Sequence, residues 1–73
     1  MNGFPNRKIV EALRMEYPKG TRVELVFMDD LSAPSEGTQG TVRGVDDAGS
    51  IMVSWDDGSS LNVLYGIDQV RKI

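Results

Sequence analysis

The chain has 73 residues, no cysteine, and a net charge of −3 from 8 basic and 11 acidic side chains. This length suits one small domain and leaves no room for a second lobe, so a catalytic cleft between lobes is excluded. The lack of cysteine excludes disulfides and thiolate metal sites, and it fits a reducing cytoplasm. No apolar stretch approaches the roughly 18 residues that span a membrane, and residues 1–14 lack the apolar run of a secretory signal. We therefore predict one cytoplasmic domain over residues 1–73.

A helix is predicted over residues 5–17. Pro5 suits its first turn, Asn6 is a candidate cap, and Pro18 ends it. Its apolar residues recur at helical spacing and form one stripe: Ile9, Val10, Leu13 and Tyr17. Because so short a helix is marginal alone, the stripe must be covered, either by the rest of the domain or by a partner.

After Gly20 the hydrophobic period changes to two, which indicates strands. We predict five, at residues 21–27, 38–45, 50–55, 59–64 and 70–73. Gly40 and Gly44 indicate a bulge or bend in the second strand, and Asp57-Gly58 favours a two-residue hairpin turn with positive φ at both residues. The expected core is Val23, Leu25, Val42, Ile51, Val53, Trp55, Leu61 and Val70.

This pattern predicts a mainly β fold, a small five-stranded SH3-like barrel over residues 21–73 with one N-terminal α-helix. Closing the sheet would protect edges that a small open sheet leaves exposed. The helix is expected to cover one open end of the barrel.

Six short segments occur in order along the chain: YPKGTRV (17–23), MDD (28–30), AP (33–34), GTQGTV (37–42), GVDDAG (44–49) and WDDGSSL (55–61). Together they resemble a bacterial family catalogued as domain of unknown function 4314, over nearly the whole chain. The resemblance implies a small free-standing protein of a Gram-positive bacterium or one of its mobile elements. It implies no activity and no catalytic residues, because the family is defined without a function.

The chain has no histidine and no cysteine, which removes the commonest general base, the thiol nucleophile and most transition-metal ligands. Three acidic pairs are candidates for a hard cation or for acid–base chemistry: Asp29-Asp30, Asp46-Asp47 and Asp56-Asp57. All three lie at predicted turns, where aspartate is favoured because it hydrogen-bonds turn backbone. We therefore expect no enzyme, no metal and no cofactor.

The longest irregular segment, residues 28–37, is either a recognition element or a solvated connection folded back on the domain. Trp55 is read as core in preference to a peptide groove, whereas Tyr65 suits a groove and the edge of the core equally. The candidate binding residues are Asp29, Asp30, Pro34 and Tyr65.

The leading hypothesis is a non-enzymatic interaction module that binds a protein or peptide through the 28–37 loop side of the barrel. The acidic loop favours a basic partner. The alternative is a nucleic-acid-binding small β-barrel, which requires convergence of four basic residues: Arg22, Arg43, Arg71 and Lys72. The net negative charge argues against nucleic acid. We expect no membrane association, and a monomer or weak homo-oligomer.

Overall fold

A computed structural model describes residues 6–73, in which one helix is followed by four strands. The helix and strands are α1 (Arg7–Glu16), β1 (Arg22–Phe27), β2 (Gln39–Val45), β3 (Ile51–Trp55) and β4 (Gln69–Lys72). The strands form one antiparallel sheet in the order β3-β2-β1-β4. Within the described range, no helix has the length and apolarity needed to cross a membrane.

The predicted five-stranded SH3-like barrel is wrong, because the sheet has four strands and is open. The strand expected at residues 59–64 does not form. β3 and β4 therefore lie at the two edges of the sheet.

The missing strand has a physical cause in the side chain of Trp55. Its indole Nε1 donates to the carbonyl oxygen of Leu61 at 2.8 Å, so this carbonyl is turned away from a backbone ladder. Backbone pairing with β3 occurs only on either side of Leu61. On one side the Trp55 amide donates to the Ser59 carbonyl at 2.9 Å, and on the other an isolated bridge joins Ile51 to Val63. Residues 59–63 thus run beside β3 without becoming a strand.

Asn6 starts the helix as predicted, because its side-chain oxygen accepts from the amide of Ile9 at 3.0 Å. Pro5, expected in the first turn, lies outside the described residues. Val10 is buried in the core, and Leu13 and Tyr17 pack against it. The apolar stripe therefore faces the sheet, which covers most of it.

Arg14 joins the last turn of α1 by hydrogen bonds to the end of β2 and to the turn that follows it. Its Nε donates to the carbonyl oxygen of Val45 at 3.1 Å, and its Nη2 donates to Asp47 at 2.8 Å. This contact fixes the helix across one end of the sheet.

The turn after β3 differs from the predicted two-residue form. The Gly58 amide donates to Trp55 at 3.0 Å, the Trp55 amide donates to Ser59 at 2.9 Å, and only Gly58 in this turn has positive φ, at 95°. The prediction of positive φ at Asp57 is wrong. Because the Asp57 carboxylate accepts from the Ser59 amide at 2.9 Å, a three-residue loop ending in a left-handed glycine is stabilised.

The turn between β2 and β3 has the same backbone hydrogen bonds, with Asp46 in the position of Trp55 and Gly49 in that of Gly58. Asp46 accepts from the amides of Ala48 and Ser50 at 3.0 and 2.9 Å. These aspartates thus serve the turn backbone, as expected of them.

The core lies on the face of the sheet that α1 covers. Six of the eight predicted core residues are buried, and Leu61 and Val70 are partly buried, so the predicted register is confirmed. The glycine-rich second strand contains the expected bulge, between Val42 and Gly44. Gly40 allows close packing, because a Cβ there would lie 2.7 Å from Val53 Cγ1.

Candidate functional site

The four predicted binding residues occupy different environments. Asp29 and Asp30 are exposed at the start of the 28–37 loop, and Tyr65, with 49% of its surface exposed, lies in the turn before β4. Pro34 is buried, so it presents no surface to a partner. Asp30 also caps its own turn, accepting from the Ser32 amide at 2.7 Å.

One buried carboxylate holds the loop and the turn together. Asp68 is only 9% exposed, and its Oδ1 accepts from the backbone amide of Asp29 at 2.9 Å. Its Oδ2 accepts from the amide of Leu64 at 2.8 Å, while its own amide donates to the Leu64 carbonyl at 3.0 Å. The start of the loop therefore has a fixed position relative to the turn that contains Tyr65.

Exposed apolar side chains concentrate in these two segments and in the end of β1 that leads into the loop. Of the eight large hydrophobic residues exposed in the described part of the chain, one lies in the loop, three lie at the turn before β4, and two end β1, whereas Met15 and Ile73 lie elsewhere. The other six define what we call the loop-side surface: Val26, Phe27, Leu31, Leu64, Tyr65 and Ile67. A cluster of exposed apolar side chains is typical of a protein interaction site.

The 28–37 loop is anchored at both ends. Met28 packs against the core, and the Gly37 amide donates to the carbonyl of Leu25 at 2.8 Å. The segment in between, 29–32, remains exposed with Leu31 as its most exposed side chain. The loop thus folds back on the sheet and presents a short tip.

The charged side chains of the loop and of the turn before β4 are all negative. The sequence has no lysine or arginine between Arg22 and Arg43, nor between Arg43 and Arg71. Asp29, Asp30 and the exposed Glu36 of the same loop therefore act together, with no cation from their own segments to offset them.

A groove of about 460 Å³ adjoins this surface. It lies between α1, the turn before β4, and residues of both edge strands. Its apolar lining consists of Leu13, Ile51, Val63 and Val70. Glu16, Tyr17 and Tyr65 add polar atoms, and Tyr65 belongs to both the groove and the loop-side surface.

Tyr17, Lys72 and Glu16 determine the electrostatics of one wall of the groove. Burial, together with the nearby Glu16 carboxylate, raises the pKa of the Tyr17 phenol, so this phenol is neutral at physiological pH. The ammonium of Lys72 lies 5.4 Å from the centre of the Tyr17 ring. Glu16 forms no ion pair with any of the residues 6–73.

Of the four basic residues of the nucleic-acid hypothesis, Arg22 and Arg71 pair with carboxylates, whereas Arg43 is exposed and forms no ion pair with residues 6–73. Arg22 donates to both carboxylate oxygens of Asp56 at 2.9 and 2.6 Å, and this hydrogen bonding lowers the pKa of Asp56. Arg71 pairs with Glu24 at 2.9 Å. Lys72 follows Arg71 in the strand and points to the opposite face, as successive strand residues do.

Sequence reasoning missed Asp68, Leu31 and the groove carboxylate Glu16. One signal is present in the sequence: Ile67 is a large apolar residue in a segment predicted to be a turn, where polar residues are expected. Among the described residues, no three acidic side chains lie close enough together to hold a metal ion.

Comparison with curated proteins finds no match, and neither does comparison with solved structures. The family model described as domain of unknown function (DUF4314) matches residues 6–73, which is nearly the whole chain. The resemblance seen in the sequence is therefore confirmed, and the chain belongs to this family.

Proposed function

We propose that this protein is a non-enzymatic interaction module that binds a protein or peptide through the loop-side surface. The observation that carries the proposal is the concentration of six exposed apolar side chains at the end of β1, in the loop that follows it, and in the turn that Asp68 joins to this loop. Leaving these side chains in water is unfavourable, and a partner that covers them gains about 25 cal/mol for each Å² of apolar surface buried.

The charges indicate the chemistry of the partner. Because the loop carries Asp29, Asp30 and Glu36 and has no lysine or arginine of its own, a partner with lysine or arginine beside its apolar residues is favoured. Attraction of this kind speeds association and orients the partner, and it weakens as salt rises.

The Asp68 hydrogen bonds add preorganisation. A surface whose two halves are already fixed loses less conformational entropy on binding than two independent loops would. Asp68 is therefore a positioning residue in this proposal, since its own carboxylate is buried.

The proposal places the module in the cytoplasm, in keeping with a chain that has no cysteine. It assigns no chemical step, because the chain has neither histidine nor cysteine and its aspartates largely bond turn backbone.

A displayed library of random peptides, selected on the purified protein, tests the proposal. We expect enrichment of peptides that combine apolar residues with lysine or arginine. The double variant Leu31→Ser/Ile67→Ser should weaken their binding about tenfold or more, as loss of central apolar contacts does. The matched control is Met15→Ser, which removes an 85% exposed apolar side chain from the helix and should leave binding unchanged.

Two results would overturn the proposal. One is a library that yields no peptide above background. The other is a set of peptides that bind the double variant as tightly as they bind the unmodified protein, provided the variant remains folded by circular dichroism.

A further inference from the structure

We infer that the groove between α1 and β4 receives one long cationic side chain, an arginine or lysine, from the bound partner. Its methylene stem lies on the apolar lining and its charged end meets the Glu16 carboxylate beside the Tyr17 ring. This inference rests on the proposed function and names the residue type that anchors the partner.

The dimensions and lining of the groove suit such a side chain. Its volume of about 460 Å³ is within the range of roughly 300–1,000 Å³ that is usual for ligand sites. The apolar stems of lysine and arginine bury well against partly exposed aliphatic side chains such as Leu13 and Val70, while their charged ends stay near water.

The exposed carboxylate of the groove is that of Glu16, which forms no ion pair with any residue in the described range. Asp68 also lines the groove, but its side chain is buried and both of its oxygens accept amide hydrogen bonds. A cation entering the groove therefore meets the Glu16 carboxylate, which would repel an anion.

The protein already places one of its own cations against the same wall. The Lys72 ammonium lies over the Tyr17 ring at 5.4 Å from its centre, a distance at which cation–π attraction operates. Tyr17 can thus hold a positive charge in this position, and Lys72 competes with an incoming side chain for it.

The groove also opens beside the loop-side surface. Tyr65 lines the groove and belongs to the loop-side surface, so a partner on that surface can extend a side chain past Tyr65 without leaving it. The acidic surroundings favour the same basic partner at both places.

The test uses the tripeptide acetyl-Ala-Arg-Ala-amide and its citrulline counterpart, which keeps the shape of arginine but has no charge. Each is titrated into ¹⁵N-labelled full-length protein and followed by NMR. We expect the arginine peptide to shift the amide signals of Gly49 and Gly66, which line the groove, in a saturable manner. The Gly58 amide, which is not part of the groove, should not move, and the citrulline peptide should bind several-fold more weakly.

Two substitutions should change the affinity in opposite directions. Glu16→Gln should weaken arginine peptide binding about two- to fivefold, the effect of a partly exposed ion pair. Lys72→Gln should strengthen it, because it removes the competing cation. The controls are Glu11→Gln and Lys8→Gln, which make the same changes in net charge on the helix but outside the groove.

The inference fails if no saturable shift appears, if arginine and citrulline peptides bind alike, or if each variant behaves like its charge-matched control. These failures are distinguishable from failure of the proposed function. Library peptides that lose binding with Leu31→Ser/Ile67→Ser but tolerate Glu16→Gln would leave the loop-side surface standing and overturn the groove. Conversely, selective binding of the arginine peptide in the groove, together with library peptides that bind the double variant as tightly as the unmodified protein, would support the groove and overturn the loop-side surface.

Discussion

Replacing Asp68 with asparagine removes half of the link between the loop and the turn. An ionised carboxylate accepts at both oxygens, as Asp68 does from Asp29 and Leu64. An asparagine has one oxygen, and its amide nitrogen can only donate. In Asp68→Asn one of the two backbone amides therefore faces another donor and loses its acceptor.

The expected loss follows from the burial of this side chain. A hydrogen bond to a charged group contributes about 1.5–3 kcal/mol, and both bonds to Asp68 are partly buried. We therefore expect Asp68→Asn to lower the free energy of unfolding by about 2 kcal/mol. For a domain of this size, that corresponds to a fall of about 8–16 °C in Tm.

Urea unfolding followed by Trp55 fluorescence measures the stability, and amide hydrogen exchange locates the effect. Either the Asp29 or the Leu64 amide should exchange faster, while amides in β1 and β2 should change only by the loss of global stability. The control is Asp30→Asn, since Asp30 accepts one bond at an exposed turn where asparagine serves equally well.

A stability within about 0.5 kcal/mol of the unmodified protein, the usual effect of a surface substitution, would refute this reasoning. Unchanged exchange at both amides would do so as well, since one of them must lose its acceptor.

Three further predictions concern stability. Gly40→Ala should cost about 1–3 kcal/mol, because its Cβ would approach three atoms within 2.9 Å. Gly58→Ala has open space but φ of 95° and should cost about 1 kcal/mol; a Gly40→Ala variant as stable in urea as the unmodified protein would contradict the packing argument. A chain beginning at Lys19 should lose cooperative thermal unfolding, because it uncovers the core around Val10; a sharp calorimetric transition would show that the sheet folds alone. Hydrogen bonding from Arg22 lowers the pKa of Asp56 from its ordinary 3.8, so the resulting stabilisation is present above that pH and lost as the pH falls through the lowered value. The unmodified protein should be more stable than Asp56→Asn at pH 6 and should converge with it in acid, as denaturant unfolding at several pH values would show; a constant difference would contradict the pairing.

Local signals in the sequence predicted the local structure well. The cap at Asn6 depends on residues three positions apart, and the bulge in β2 depends on Gly44 within the strand. The buried face followed from period-two alternation, because one face of each strand must pack on the core. These features need no information from distant parts of the chain.

The errors arose where a distant or side-chain contact decides the outcome. Residues 59–64 do alternate, yet the Trp55 indole takes the Leu61 carbonyl that a strand would require. In the turn before these residues, the Asp57 carboxylate accepts from the Ser59 amide and stabilises a three-residue loop. Hydrophobic periodicity contains no information about either hydrogen bond.

The candidate site was predicted in its segments but not in its organisation. Asp29, Asp30 and Tyr65 lie where a partner can reach them, and the sequence placed them in a loop and a turn. Nothing local shows that Asp68 is buried or that it joins these segments, because an aspartate before a strand is ordinarily exposed. The joining contact spans 39 positions along the chain.

The groove follows from the incomplete pairing of the segment after β3. This segment makes only an isolated bridge to β3, so it does not join the two edge strands, and α1 covers the opening incompletely. The groove occupies the remaining gap, which explains why its lining comes from both edge strands and the end of the helix. Ile51 and Val63 in its floor are already buried, so the apolar surface that a partner's side chain can cover is that of the partly exposed Leu13, Tyr17 and Val70.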